Sequence, residues 1–265
     1  MLTLLAIYLA VGAVAGILAG LLGIGGGLVI VPMLVFCFPL LDIPPAHIMH
    51  IALGTSLASI IFTSVSSFMA HHRRGAVNWR IVVRITPGII AGTFLGAYIA
   101  SQMSTGVLKG FFGLFLYFVA LQFFLDRKPK PGRELPRTAG MFAAGGGIGV
   151  VSSLMGIGGG TLSVPFLTWC NISVRNAIGT SAAIGLPIAV AGTLGYISTG
   201  FGIRDLPSYS LGYVYLPALS GIVAASMLTA PAGARLAHWL PVRKLQRVFA
   251  VLLLVVGTRM IAALF

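Results

Sequence analysis

The sequence predicts an all-α integral membrane protein of about eight transmembrane segments, arranged as two inverted repeats that each start with a Gly-rich broken or re-entrant helical hairpin. Three observations predict it. Hydrophobic residues make up 58% of the chain and charged residues only 8%, whereas a soluble surface needs roughly a quarter of charged residues. The string LLGIGGGLVIVPMLVFC at 21–37 returns as LMGIGGGTLSVPFLTWC at 154–170, with ten of seventeen positions identical. Basic residues concentrate in three interhelical segments, placed differently in the two copies.

Apolar stretches able to cross a hydrocarbon core of about 30 Å run at 2–22, 46–69, 81–102, 106–125, 139–155, 177–198, 212–232 and 245–265. The first lacks a basic n-region and leads straight into the repeated glycine motif, so it reads as a retained helix and not as a cleavable signal. The chain divides into a first repeat over 1–125, a basic linker over 126–137 and a second repeat over 138–265. Each repeat is a broken hairpin, 2–38 or 139–170, followed by three helices. The stretch after the first glycines, 28–38, has eleven residues, about half a bilayer core at 1.5 Å per residue. Pro32 and Pro165 are expected in the first turns of these half-helices, where a missing N–H costs little. The preceding glycines permit backbone conformations closed to other residues.

The formal net charge of +13 is chiefly a topology signal. Arg73, Arg74, Arg80 and Arg84 form one cluster, Arg127, Lys128, Lys130, Arg133 and Arg137 a second, and Arg235, Arg243, Lys244 and Arg247 a third. By the positive-inside rule all three face the cytoplasm. In the first copy the positive loop follows the second helix, and in the second copy it follows the third. Parallel repeats would place both alike, so the pattern favours an inverted pair. Nucleic acid is not an expected partner, because these charges sit in short loops with no soluble domain behind them.

Small residues ending at a helix N-terminus expose unpaired N–H groups and the positive end of the helix dipole, which bind anions without a cationic side chain. Gly25, Gly26 and Gly27, matched by Gly158, Gly159 and Gly160 with Thr161, are therefore candidate substrate-binding residues, against the plainer use of small residues for close helix packing. Gly54-Thr55-Ser56 and Gly179-Thr180-Ser181 form a second matched pair. Their hydroxyls, Thr55, Ser56, Thr180 and Ser181, either line the same cavity or bond back to their own helices. Asp42, Asp126, Glu134 and Asp205 are the only carboxylates and lie in loops or at helix ends, which argues against cation transport. His50 is a candidate proton relay or a hydrogen-bonded interfacial histidine. Arg84 is a candidate gating cation or a snorkelling residue. Cys37 and Cys170 occupy equivalent places, as packing residues or with a thiol role. Five histidines raise a membrane metalloenzyme, but 47–50 and 71–72 stand at opposite ends of one helix, roughly 36 Å apart. No metal, cofactor or enzymatic activity is expected.

The paired G-x-GGG-x3-VP segments, the paired GTS strings and the two-unit chain resemble the sulfite exporter TauE/SafE family over nearly the whole length. That resemblance implies a transporter of sulfite, sulfonates or thiosulfate-class anions across the bacterial inner membrane, often outward. Leu186-Pro187 interrupts the second helix of the second copy where the first has Ile61-Phe62, so the halves are not expected to bend alike. A carrier with alternating access and an anion channel with a static filter both suit the paired breaks. Gly-rich faces such as Ala91-Gly92 to Gly96 pack equally well within a chain or in a homo-oligomer.

Overall fold

With hydrocarbon as solvent, each spanning segment must close its own backbone hydrogen bonds, and the apolar runs do so as helices. The computed structural model describes residues 2–22, 26–41, 43–125, 132, 134–239 and 242–264. Among these are ten α-helices: α1 (Leu2–Leu22), α2 (Gly27–Cys37), α3 (Ile48–Arg73), α4 (Trp79–Gln102), α5 (Thr105–Leu125), α6 (Thr138–Met155), α7 (Gly160–Trp169), α8 (Val174–Gly200), α9 (Leu216–Trp239) and α10 (Val242–Ala262). Helices α3, α4, α5, α6 and α8 are long and apolar enough to cross a membrane, and shorter apolar helical stretches run over Ala6–Leu18, Gly27–Leu40 and Leu216–Thr229. The segment predicted to be helical from 212 begins its helix only at Leu216. Residues before it form a hairpin, β1 (Ser210–Leu211) pairing antiparallel with β2 (Val214–Tyr215), turned by Gly212 at φ +54°.

Glycines set the helix pairs. A Cβ on Gly12 would sit 2.6 Å from the Ile222 oxygen, and one on Gly16 2.7 Å from the Ser226 Cα, so α1 and α9 run parallel with their backbones touching. Helices α4 and α6 do the same: Gly145 faces the Ile85 oxygen at 2.5 Å, Gly149 that of Ile89 at 2.5 Å, and Gly96 that of Val150 at 2.7 Å. The first helix of each half thus packs on the fourth helical segment of the other. Equivalent helices cross in opposite directions. Gly54 of α3 meets Tyr196 of α8 and Gly192 of α8 meets Leu57, while Ser64 lies beside Gly185. Likewise Phe123 meets Phe249 with ring centroids 6.0 Å apart, and Gly113 meets Ile261, so α5 and α10 are antiparallel.

These directions bring the end of α3 and the starts of α4, α6, α8 and α10 to one end of the bundle. Arg175 donates to the Arg74 carbonyl at 2.9 Å, joining the start of α8 to the end of α3. Helix α6 starts beside the early part of α4, and Gly132 N–H donates to Trp169 O at 3.3 Å, so α6 begins and α7 ends on that side. The start of α10 faces the end of α5 there too. Helices α3 and α8 are the most buried spans. Leu114, Phe118 and Leu121 on α5 and Val251 and Val255 on α10 are exposed, an apolar girdle suited to lipid.

Pro32 and Pro165 are each the sixth residue of α2 and α7, one turn later than predicted. Each therefore removes one internal hydrogen bond, leaving the Leu28 and Thr161 carbonyls without their usual donor. Pro187 lies inside a continuous α8.

Close packing through Gly92 generates a stability prediction. A side chain there runs into the Gly146 backbone, whereas Gly147, one residue on, has open space around it. Gly92→Leu should lower stability by about 1–3 kcal/mol or more, and Gly147→Ala should leave the thermal midpoint of the purified protein unchanged or raised.

Candidate functional site

Helix α6 ends at Gly156 in the left-handed conformation, φ +59°, with Gly156 N–H donating to Ser153 O at 3.2 Å and Ile157 N–H to Ser152 O at 3.1 Å. Only this break glycine, among those described, needs a conformation that other residues avoid. Gly26 and Gly159, which cap α2 and α7, are right-handed at φ −65° and −60°, so their small size serves space, contrary to the conformational role expected of them. Gly25 lies outside the described residues.

The two interruptions meet. A Cβ on Gly27 would collide with the Gly156 oxygen and lie 2.9 Å from the Ile157 Cα. Ser56 closes this junction by donating to Gly156 O at 2.7 Å. Gly158 is beside Ile60, and Gly159 beside Ile184, Ile188 and the Ser163 Oγ. The half-helices that start here, of 11 and 10 residues, reach about 15 Å in opposite directions, because they lead to α3 and α8. Each begins with N–H groups that no helical carbonyl can satisfy, Gly160 included.

The GTS strings have a role that their spacing does not disclose. Tyr215 N–H, at the residue before α9, donates to Thr55 Oγ1 at 3.0 Å, and Asn78 N–H, at the residue before α4, donates to Thr180 Oγ1 at 3.0 Å. Gly54 and Gly179 make room for the same two segments, whose Tyr213 and Ala76 carbonyls would lie 2.6 and 2.5 Å from a Cβ. Each string clasps the chain entering the other half's fourth segment. Thr55 and Thr180 are thus hydrogen-bonded across the halves, and Ser56 is held at the junction. Ser181 is the exception: its hydroxyl is buried without a partner.

Among the other unpartnered, buried hydroxyls, Tyr8 and Thr93 belong to the first half and four stand beside the break of the second. Thr161 and Ser163 stand in the first turn of α7, and Ser152 and Ser153 in the last turn of α6. Ser163 escapes a reading built on identities between the copies. The signal is the difference: Leu28 and Ile30 become Thr161 and Ser163 in otherwise matched strings.

Other candidates lie apart from the junction. His50 is buried, and its Nε2–H donates to Ala100 O at 3.0 Å, leaving Nδ1 without a partner. Its ring stacks on Tyr213, centroids 4.9 Å apart, and His47 flanks both. Leu53, which packs on Gly156, is one turn away. Arg84 is exposed near the start of α4, whereas α6 reaches the junction near Gly96, so it does not join the site. Cys37 and Cys170 form no disulfide, and since α2 and α7 point apart they stand at opposite ends of the bundle. Among the described residues no group of His, Cys, Asp or Glu could hold a metal ion.

Helical spans with two meeting interruptions define a multi-pass integral membrane protein of the transporter class. Residues 8–260 match the sulfite exporter TauE/SafE family, and the chain belongs to that family. A probable membrane transporter protein of Haemophilus influenzae is 40% identical over 98% of this chain and 99% of its own length. A probable membrane transporter protein of Methanocaldococcus jannaschii is 30% identical over 82% of this chain and 80% of its own. One from Bacillus subtilis is 31% identical over 70% and 76%. No solved structure matches the chain.

The clasps make a testable distinction between structure and transport. Thr55→Val or Thr180→Val leaves a backbone N–H unpaired and should cost about 1–3 kcal/mol, read as a lowered thermal midpoint, while Thr→Ser at either position keeps the acceptor and most of the stability. Lost transport at an unchanged midpoint would instead place these hydroxyls on the substrate.

Proposed function

We propose that this protein is a secondary transporter that moves a small sulfur oxyanion of the sulfite, sulfonate or thiosulfate class outward across the bacterial inner membrane. The single observation that carries this reading is the meeting of Gly27 with Gly156 and Ile157. It brings two half-helix N-termini, both short of hydrogen-bond acceptors, to one buried place between the halves. Gly26, Gly159, Gly160 and Thr161, which cap or open the two half-helices, are the residues assigned to it in this reading, and hydroxyl and amide donors suit an anion that must also leave. The family's description as sulfite exporters supports the choice of a small sulfur oxyanion and of the outward direction. The chain acts as a carrier and not as an enzyme. His50, with an unpartnered Nδ1, is the side chain best suited to a coupling proton.

Alternating access follows from the proposed division into repeats 1–125 and 138–265, related by an axis in the membrane plane. Antiparallel α3 and α8, antiparallel α5 and α10, and the exchanged pairs α1–α9 and α4–α6 support that relation. In such a pair each half takes the other's conformation when the site changes sides. All three basic segments are then cytoplasmic and both chain ends periplasmic.

Reconstituted protein should show saturable counterflow of labelled against unlabelled sulfite or sulfonate, where a channel would pass current with a reversal potential set by the gradient. Gly159→Val presses on Ser163, Ile184 and Ile188 without meeting backbone, so it should abolish most counterflow while the protein still inserts. Transport like the parent's would reduce the glycines to packing devices. For topology, a cysteine at 243 in a Cys37→Ser, Cys170→Ser background should resist impermeant reagents in intact cells. Its labelling from outside would overturn the inverted arrangement.

A further inference from the structure

The β1–β2 hairpin is wedged between α3 and α8, at the end of the bundle away from Arg74 and Arg175. Tyr213 N–H donates to Tyr196 O at 3.2 Å, and a Cβ on Gly54 would lie 2.6 Å from Tyr213 O. The Tyr213 side chain is buried and forms one column of rings with His50, His47 and Tyr196, centroids 4.9, 5.9 and 6.4 Å away. The column reaches the break: the Tyr196 hydroxyl donates to Ser153 O at 3.1 Å, the carbonyl that also accepts Gly156 N–H. Beside it, Tyr215 N–H is bonded to Thr55, and the next residue, Ser56, to Gly156 O. Ser210 and Leu211 line a cavity of about 350 Å³ with Phe201 and Leu206, so open space lies against one part of the hairpin.

His50 is where a proton would disturb this seal. Its Nε2–H donates to Ala100 O, so a second proton goes to Nδ1, which has no partner. The groups that face the ring are His47 from the turn before α3, Tyr213 from the hairpin, and the Ala100 and Met103 backbone at the end of α4. Glu134 and Asp205, the carboxylates described, are both exposed, and His47 is itself titratable. A cation on this ring, which is 3% exposed, would have the Tyr213 face and backbone in place of water or a carboxylate. Attraction to a π face is modest and less than the hydration that a buried charge forgoes. Lifting Tyr213 off the ring restores that water. We infer that the 210–215 hairpin is the gate of the transport path at this end and that His50 is its latch, closed while the ring is neutral and released when it takes a proton. Because the proton binds more tightly to the open state, falling pH opens the gate. This rests on the carrier reading above, in which His50 carries the coupling proton, and adds what that proton moves.

Hydrogen exchange of the purified full-length protein, with no transport substrate added, tests it at about pH 5.5 and about pH 8, either side of the ordinary histidine range. Peptides spanning 209–216 report the Tyr213 and Tyr215 amides. After correction for intrinsic exchange, their protection should be at least about tenfold lower in acid, the effect of a one-unit difference in proton affinity between closed and open states. His50→Gln, which keeps a donor for Ala100 O and takes no proton, should hold its protection within about twofold over the same interval. Thermal midpoints report folding, and His50→Met, neutral and similar in volume, serves if the glutamine variant does not fold. Should neither fold, NMR of the parent with isotope-labelled histidine decides: the His50 ring should take its proton over the interval in which the hairpin loosens. Parental protection that is equal at the two pH values, or greater in acid, overturns the inference. So does a folded neutral variant with the parent's response, a ring that titrates outside that interval, or loosening of residues 141–150 of α6 together with the hairpin. A pH-inert hairpin in a protein that shows counterflow removes the gate and keeps the carrier. A responsive hairpin without counterflow keeps the latch and removes the carrier.

Discussion

Everything in this fold answers to one constraint: polar backbone that leaves the helical ladder inside a membrane must find its partners within the protein. The chain leaves the ladder between α6 and α7, where Gly156 and Ile157 are buried inside the bundle. Its exposed carbonyl at Gly156 is met by the Ser56 hydroxyl of the other half, and its surroundings are Leu53 and Val31. Neither half could keep such an interruption alone. The second half's break is covered by residues of the first, and that dependence ties the two halves into one body.

Glycine is the means by which the halves approach so closely. Lipid offers no hydrophobic drive for helices to associate, so contact comes from backbones near enough for dispersion to add up. The α4–α6 seam uses Gly88, Gly92 and Gly96 on one side and Gly145 and Gly149 on the other. The α1–α9 seam uses Gly12, Gly16 and Gly221. In each, one partner precedes residue 126 and the other follows residue 137, so parting those two stretches of chain would strip both seams at once.

Much of this was legible in the sequence. The apolar runs located the long helices to within a few residues because hydrocarbon leaves few alternatives to a helix, and the doubled glycine string located the interruptions. The 210–215 hairpin was not legible, since Tyr213, Val214 and Tyr215 read as a continuation of the apolar run. What turns them into a strand is their docking on Gly54 and Thr55, residues far away in the chain. The same holds for Thr55 and Thr180. Their repetition marks them as important without saying that their oxygens accept backbone N–H groups across the halves. Ser163 was hidden for the opposite reason, because attention to what two copies share passes over the place where they diverge.

The exchanged helix pairs also bear on how the protein is made. Thr229 donates to the Ala13 carbonyl from 216 residues further along the chain. At synthesis rates of about 5–20 residues per second, α1 waits on the order of 10–40 s for α9 to exist. During that interval its glycine stripe has only lipid, the insertion machinery or a stray helix to lie against. The α4–α6 seam, whose members are separated only by α5 and a linker, closes early and without such a wait. Assembly is therefore lopsided in time, and the ribosome, by finishing α9, decides when α1 finally docks.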